Sequence, residues 1–90
     1  MMFPHKLPTT VEEAVEVLLS QLATQSKDRL RRNHREDLIG HHFGLGMWIR
    51  NNFGLWNHNR ALLEDTGQEH PDGASMAIIE ALWESLQAEE

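Results

Sequence analysis

The sequence predicts a compact all-α domain, with two longer helices at about residues 10–24 and 72–88 packed with several short ones. Three observations predict it. Apolar residues recur at three- and four-residue spacing near both ends of the chain. No stretch alternates with the period of two that a strand requires. Ninety residues leave room for one core only. Residues 1–8, with Pro4 and Pro8, read as an extended arm pinned by Phe3 and Leu7, and residues 9–90 as a single helical domain.

The elements follow in order. Thr10 with Glu13, or Thr9 with Glu12, supplies a capping box for the first helix. Its apolar face is Val11, Ala14, Val15, Leu18, Leu19 and Leu22, and Glu12, Glu13 and Glu16 lie near the positive end of its dipole. Ser26 reads as the cap of a short helix over 27–32, in which Asp28 and Arg32 stand four residues apart. After a turn near Asn33, residues 35–42 form a third short helix with Leu38 and Ile39 facing inward. The central string HHFGLGMWIRNNFGLWNHN predicts a helix at about 44–53. At about 100° per residue, Leu45, Trp48, Ile49, Asn52, Phe53 and Trp56 share one side, with Gly44 and Gly46 at the start and Gly54 at the end. Asn59 opens a short segment carrying Leu62 and Leu63 and ending at Gly67. Pro71 suits the start of the last helix, with Asp72 beside it and Met76, Ile79, Leu82, Trp83 and Leu86 inward.

Composition narrows the function classes. Eight Lys and Arg against fourteen Asp and Glu give a formal net charge of −6, which argues against a dedicated binder of DNA or of an anionic membrane. The absence of cysteine removes disulfides, thiolate catalysis and Cys-rich zinc sites. No apolar run approaches the roughly 20 residues of a membrane span, and the first eight residues lack the apolar core of a signal peptide, so the expected location is cytoplasmic. Charge is uneven: Lys27, Arg29, Arg31, Arg32 and Arg35 cluster, whereas Glu64 to Glu90 holds eight acids and no Lys or Arg.

Chemistry-bearing motifs are scarce. The six histidines match no metal template, and no cofactor or metal is expected. Ser20, Ser26 and Ser75 lie in no nucleophile elbow, and Gly44-Leu45-Gly46 is only a fragment of a dinucleotide fingerprint. Pairs such as His70 with Asp72, or His42 with Asp37, converge with nothing further, so no catalytic residue is assigned. The candidate polar site is His42, Arg50, Asn51, Asn52, His70 and Asp72. Its favoured reading is a structural clasp: Asn52, in the apolar stripe, binds the backbone of the 67–72 loop, and Arg50 pairs with Asp72 or Glu80. The rival reading is a small pocket for an anionic or amide-bearing ligand. Candidates for partner binding are Trp56, as an exposed aromatic anchor, and Arg31, Arg32 and Arg35. The basic segment has no interleaved aromatic, which disfavours nucleic acid.

The strings HFGLGMWIRNNFGLW (42–56), HPDGAS (70–75) and ALWESLQ, with the opening PTTVEEAVEVLLSQL, resemble a family of small bacterial proteins and domains of unknown function. The likeness covers about residues 8–88. It implies an all-helical domain in a bacterial setting and supplies no catalytic residue, ligand or partner. The family pattern often has a second Asp where this chain has Gly73, which lessens the case for a ligand role of the 70–75 loop. The expected function is a non-enzymatic protein-interaction module of adaptor or toxin-neutralising type. The alternatives are a small-molecule or anion sensor using Arg50, Asn51 and Asp72, and a nucleic-acid binder through 27–35. A homodimer fits any of the three.

Overall fold

The computed structural model describes residues 7–56 and 58–88. Its elements are α1 (Val11–Gln21), α2 (Thr24–Arg32), a 3₁₀ turn (Arg35–His41), a π turn (His42–Gly46) that runs directly into α3 (Met47–Asn52), α4 (Arg60–Thr66) and α5 (Pro71–Ala88). No strand occurs among the described residues. No helix among them is long and apolar enough to cross a membrane. The all-α class is therefore as the sequence predicts. Residues 1–6 of the expected arm, Phe3 among them, lie outside the described residues.

The two longer helices form for the expected reasons. Thr10 accepts a hydrogen bond from the Glu13 N–H at 3.1 Å, and the Glu13 carboxylate reaches back to the Thr9 N–H at 2.9 Å. The capping box is thus split across both threonines, with Thr10 as the cap. The first N–H of α1, at Val11, is taken by the Asp65 carboxylate of α4 at 2.7 Å, which also places an acid at the positive end of the dipole. α1 ends at Gln21, earlier than the expected residue 24, because Leu22 turns to extended backbone and α2 begins two residues on. α5 starts at Pro71, whose missing N–H costs nothing at a first helical position.

α5 touches every other element of the fold. Ala74, Ile78, Ile79, Leu82 and Leu86 are buried along it, and Met76, Ala81 and Trp83 are partly buried. α1 covers one side with Ala14, Val15 and Leu18, α4 another with Leu62, and the π turn and α3 a third with Ile49 and Phe53. The Cα radius of gyration, 12.2 Å, is that of a close-packed chain of this length, about 12 Å.

Three short elements depart from expectation. α2 begins at Thr24, with Ala23 as a cap that offers no side-chain hydrogen bond, so Ser26 lies inside the helix instead of capping it. Asp28 pairs with Arg31, at 2.6 Å, and not with Arg32. Leu38 is buried but Ile39 is 66% exposed. Residues 35–41 wind as a 3₁₀ turn, whose three residues per turn put neighbours about 120° apart, so only one of two adjacent side chains faces the core.

The central helix is also shifted. Its buried residues are Gly46, Ile49, Arg50 and Phe53, an i, i+3, i+4, i+7 set, while Leu45, Trp48 and Asn52 are half-buried on the flank and Trp56 is exposed. The helix ends at Asn52, and Gly54, at φ +72°, reverses the chain. The Leu55 N–H then returns to the Arg50 carbonyl at 3.1 Å, closing a Schellman turn that buries Leu55.

Asn59 joins three parts of the chain. Its side chain is buried, its Oδ1 accepts from the Leu62 N–H as the cap of α4, and its Nδ2 donates to the carbonyls of Pro8 (2.7 Å) and Phe53 (2.8 Å). One amide thereby ties the residues before α1 and the end of α3 to the start of α4. Asn59→Ala leaves two buried carbonyls and a helix start without partners, and urea unfolding is expected to show a loss of about 2–4 kcal/mol. A loss below about 0.5 kcal/mol would show that water replaces all three bonds.

Candidate functional site

Arg50 is 3% exposed, and its guanidinium is the one charged group in the core of the described residues. It reaches the start of α5. Nη1 donates to Ser75 Oγ at 2.9 Å, Nη2 donates to the His42 carbonyl at 3.2 Å, and Nε lies 3.4 Å from Asp72 Oδ1. Ser75, fully buried, donates its own hydroxyl proton to the Asp72 carbonyl at 2.9 Å. The chain makes room for this by having Gly46 one turn before Arg50. A Cβ there would come within 3.1 Å of Arg50 Nη1 and 3.2 Å of the His41 carbonyl. The cation also lies at the N-terminal end of α5, a helix end that disfavours positive charge, so the Asp72 carboxylate in the first turn is needed to offset the field.

The expected clasp is therefore partly present. Of the six candidate residues, the structure brings together Arg50, Asp72 and the backbone of His42. Asn52 does not bind the 67–72 loop: it donates to the Trp48 carbonyl of its own helix at 2.9 Å, because the register shift moves it off the buried face. Asn51 is exposed and accepts from Trp56 Nε1 at 3.0 Å. The His70 side chain is exposed, and its carbonyl accepts from the Ala74 N–H in the first turn of α5. Glu80, the other partner suggested for Arg50, is bound to Arg35. Asp37 does not meet His42, since its carboxylate accepts from the His34 N–H at 3.1 Å. Among the described residues, His42 Nδ1 and Arg50 Nε are the two buried side-chain polar atoms without a hydrogen-bond partner. No three His, Asp or Glu side chains among those residues group closely enough to hold a metal ion.

The basic segment is largely spent on the fold. Lys27 donates to the Leu19 carbonyl, and Arg31 to the Leu86 carbonyl and to Asp28. Arg35 lies over the Trp83 ring, 5.2 Å from its centroid, and binds Glu80 and Glu84 of α5. Hydrogen bonding by Glu84 and the charge of both acids raise the Arg35 pKa further above its ordinary value. Arg29 and Arg32 are left pointing to water. The uneven charge in the sequence is thus, in part, pairing between α5 and the 3₁₀ turn.

Sequence reasoning missed Ser75 and Asn59 as buried hydrogen-bonding residues. The signal for Ser75 was its place three residues after Asp72 in the first turn of a helix, where a hydroxyl meets the i−3 carbonyl. It also missed the exposed apolar residues Ile39 (66%), Phe43 (77%) and Met47 (44%), which join Trp56 (57%) on the surface.

Fold and site together define a small all-helical domain whose first helical turn of α5 is locked by a buried arginine. The chain belongs to the family described as a domain of unknown function, DUF6794, which matches residues 7–86. No curated protein and no solved structure matches it.

Two outcomes are expected from the clasp. A double-mutant cycle of Arg50→Met and Asp72→Asn, read by chemical denaturation, gives a coupling of about 1 kcal/mol, modest because Asp72 is 62% exposed; a coupling near zero would make Asp72 an ordinary surface acid. Gly46→Ala destabilises by about 1–3 kcal/mol despite the better helix propensity of alanine, since a backbone carbonyl cannot move aside. A more stable Gly46→Ala protein would contradict the close packing around Arg50.

Proposed function

We propose that this domain is a non-enzymatic protein-interaction module that docks through the outer side of its central segment. The observation that carries the reading is the run Ile39, Phe43 and Met47, exposed large apolar side chains at four-residue intervals along the continuous helical stretch 35–52. Large apolar side chains gain by burial, and three left outside along one stretch are a feature of recognition surfaces. Trp56 extends the run: its indole is held by the bond to Asn51, four residues after Met47, so its exposed ring is fixed before any partner arrives.

The charge around the run suggests its partner. Ile39 shares a shallow depression with Glu36 and with the Arg35–Glu80 ion pair, which leaves Glu36 as its unpaired acid among the described residues, and the chain as a whole carries −6. A helix with one apolar face flanked by Lys and Arg fits this chemistry. The candidate contacts Arg31 and Arg35 are less available, being engaged within the fold, whereas Arg32 stays free to reach a partner. The sensor reading is less well supported, because Arg50 has Ser75, His42 and Asp72 around it and Asn51 lies apart from them. The nucleic-acid reading loses Lys27, Arg31 and Arg35 to intramolecular bonds. A bacterial cytoplasmic setting belongs to the same proposal; the resemblance of the central strings supports the first part, and a chain free of cysteine suits a reducing compartment.

The test is affinity capture with the full chain against a Phe43→Ser/Trp56→Ser variant of equal thermal stability. The expected result is one or a few proteins retained by the former and reduced at least tenfold on the latter, with a basic amphipathic helix in the retained protein. Equal retention on both, or nothing retained by either, would overturn the reading.

A further inference from the structure

A second surface stands apart from the exposed run. Between the end of α1, α2 and the π turn lies a cleft of about 530 Å³, within the 300–1,000 Å³ range of small-ligand sites. Its apolar walls are Leu18, Leu22, Leu30, Leu45 and Trp48; Gln21 and His41, whose Nε2 is bonded to Asn33, also line it. Leu22, Leu45 and Trp48 are only half-buried, so the fold leaves apolar area there uncovered.

Two features give this cleft a chemistry. The first is charge. No Asp or Glu lines it, in a chain of net charge −6, and its one permanently charged group is Arg29. Arg29 is exposed and makes no ion pair among the described residues, unlike Arg31 and Arg35 nearby in sequence. Ser26, three residues before Arg29 on the same face of α2, also lines the cleft and brings a hydroxyl to the same edge. The second is Gly44, which lies within the π turn and lines the cleft. It has no positive φ, and a Cβ at this position would meet nothing within 4 Å. Nothing in the fold itself requires glycine there, and in a helical turn glycine costs up to ~1 kcal/mol relative to alanine. Gly46, two residues on, is explained by Arg50; Gly44 leaves the wall of the cleft open, so that an occupant could come close to the backbone there.

We propose that this cleft binds a small amphipathic carboxylate, its hydrocarbon body against the leucines and Trp48 and its carboxylate at Arg29 and Ser26. A lone apolar groove would accept any greasy body. The unpaired guanidinium at its edge, without a competing acid, selects an anionic head. The cleft is separate from the proposed docking run, since Ile39, Phe43, Met47 and Trp56 do not line it.

The test is NMR titration of the full chain with octanoate, with 1-octanol as the neutral body and acetate as the head alone. Octanoate is expected to shift the Gly44 amide and the Trp48 indole saturably, with acetate without effect and octanol at least fivefold weaker. Arg29→Gln should weaken octanoate at least fivefold and leave octanol unchanged. Gly44→Leu should remove binding, while Gly44→Ala folds at least as stably as the parent and shows that the fold tolerates a side chain there. Phe43→Ser/Trp56→Ser should bind octanoate as the parent does, which separates this result from that of the docking test. No saturable shift, octanol binding as tightly as octanoate, or cleft resonances that move with protein concentration alone, as they would if a second copy filled the groove, would each overturn the proposal.

Discussion

The whole molecule is organised by the need to cover one helix. α5 carries apolar residues around most of its circumference, and a chain of this length has no second layer to hide it in. The other elements are accordingly short and wrapped around it, and each meets α5 directly. Helices as brief as α3 and α4, with six and seven residues, would not persist alone in water. They hold because each contributes one or two fully buried side chains, Ile49 from α3 and Leu62 from α4, to the same core.

Covering α5 has an electrostatic consequence at its first turn. The π turn and α3 cross that end of the helix, and the side chain that arrives there is an arginine. Burying a guanidinium is costly unless its donors find acceptors. The local sequence supplies two of them, Ser75 Oγ from the first turn of α5 and a carbonyl from the π turn that Gly46 lets Arg50 approach, and sets the Asp72 carboxylate beside Nε as a counter-charge. The clasp fixes the direction in which the central segment leaves the core, and hence which of its side chains face outward. Phe43 and Met47 are exposed as the counterpart of Gly46, Ile49 and Arg50 being buried. The cleft beside α2 arises from the same geometry, because Leu45 and Trp48 fall between the two sides.

This explains which parts of the fold were legible in the sequence. α1 and α5 were, since caps, charges and apolar spacing agree over many turns. The central helix was legible as a helix but not in its rotation. Its true buried set contains a glycine and an arginine, which an apolar pattern passes over, and the wider π turn before it carries the phase away from a constant 100° per residue. The stripe through Leu45, Asn52 and Trp56 was off by part of a turn, and Asn52 was assigned to the loop for that reason. The partnership of Arg50 with Asp72 was still recoverable, because charge pairing depends less on phase than packing does. Asn59 was not, since the carbonyls of Pro8 and Phe53 reach it only through the fold, whereas Ser75 carried the local signal of a hydroxyl three residues after Asp72. The cleft was invisible because it needs α1, α2 and the π turn in place together.

If one helix is the hub on which all other elements depend, native-state hydrogen exchange will show it. The amides of Ile78 to Leu86 and of Ile49 to Phe53 are then expected to exchange only through global unfolding, with one common free energy equal to that measured by denaturant. Amides in the middle of α5 that exchange through smaller openings, while α1 or α4 stays protected, would contradict it.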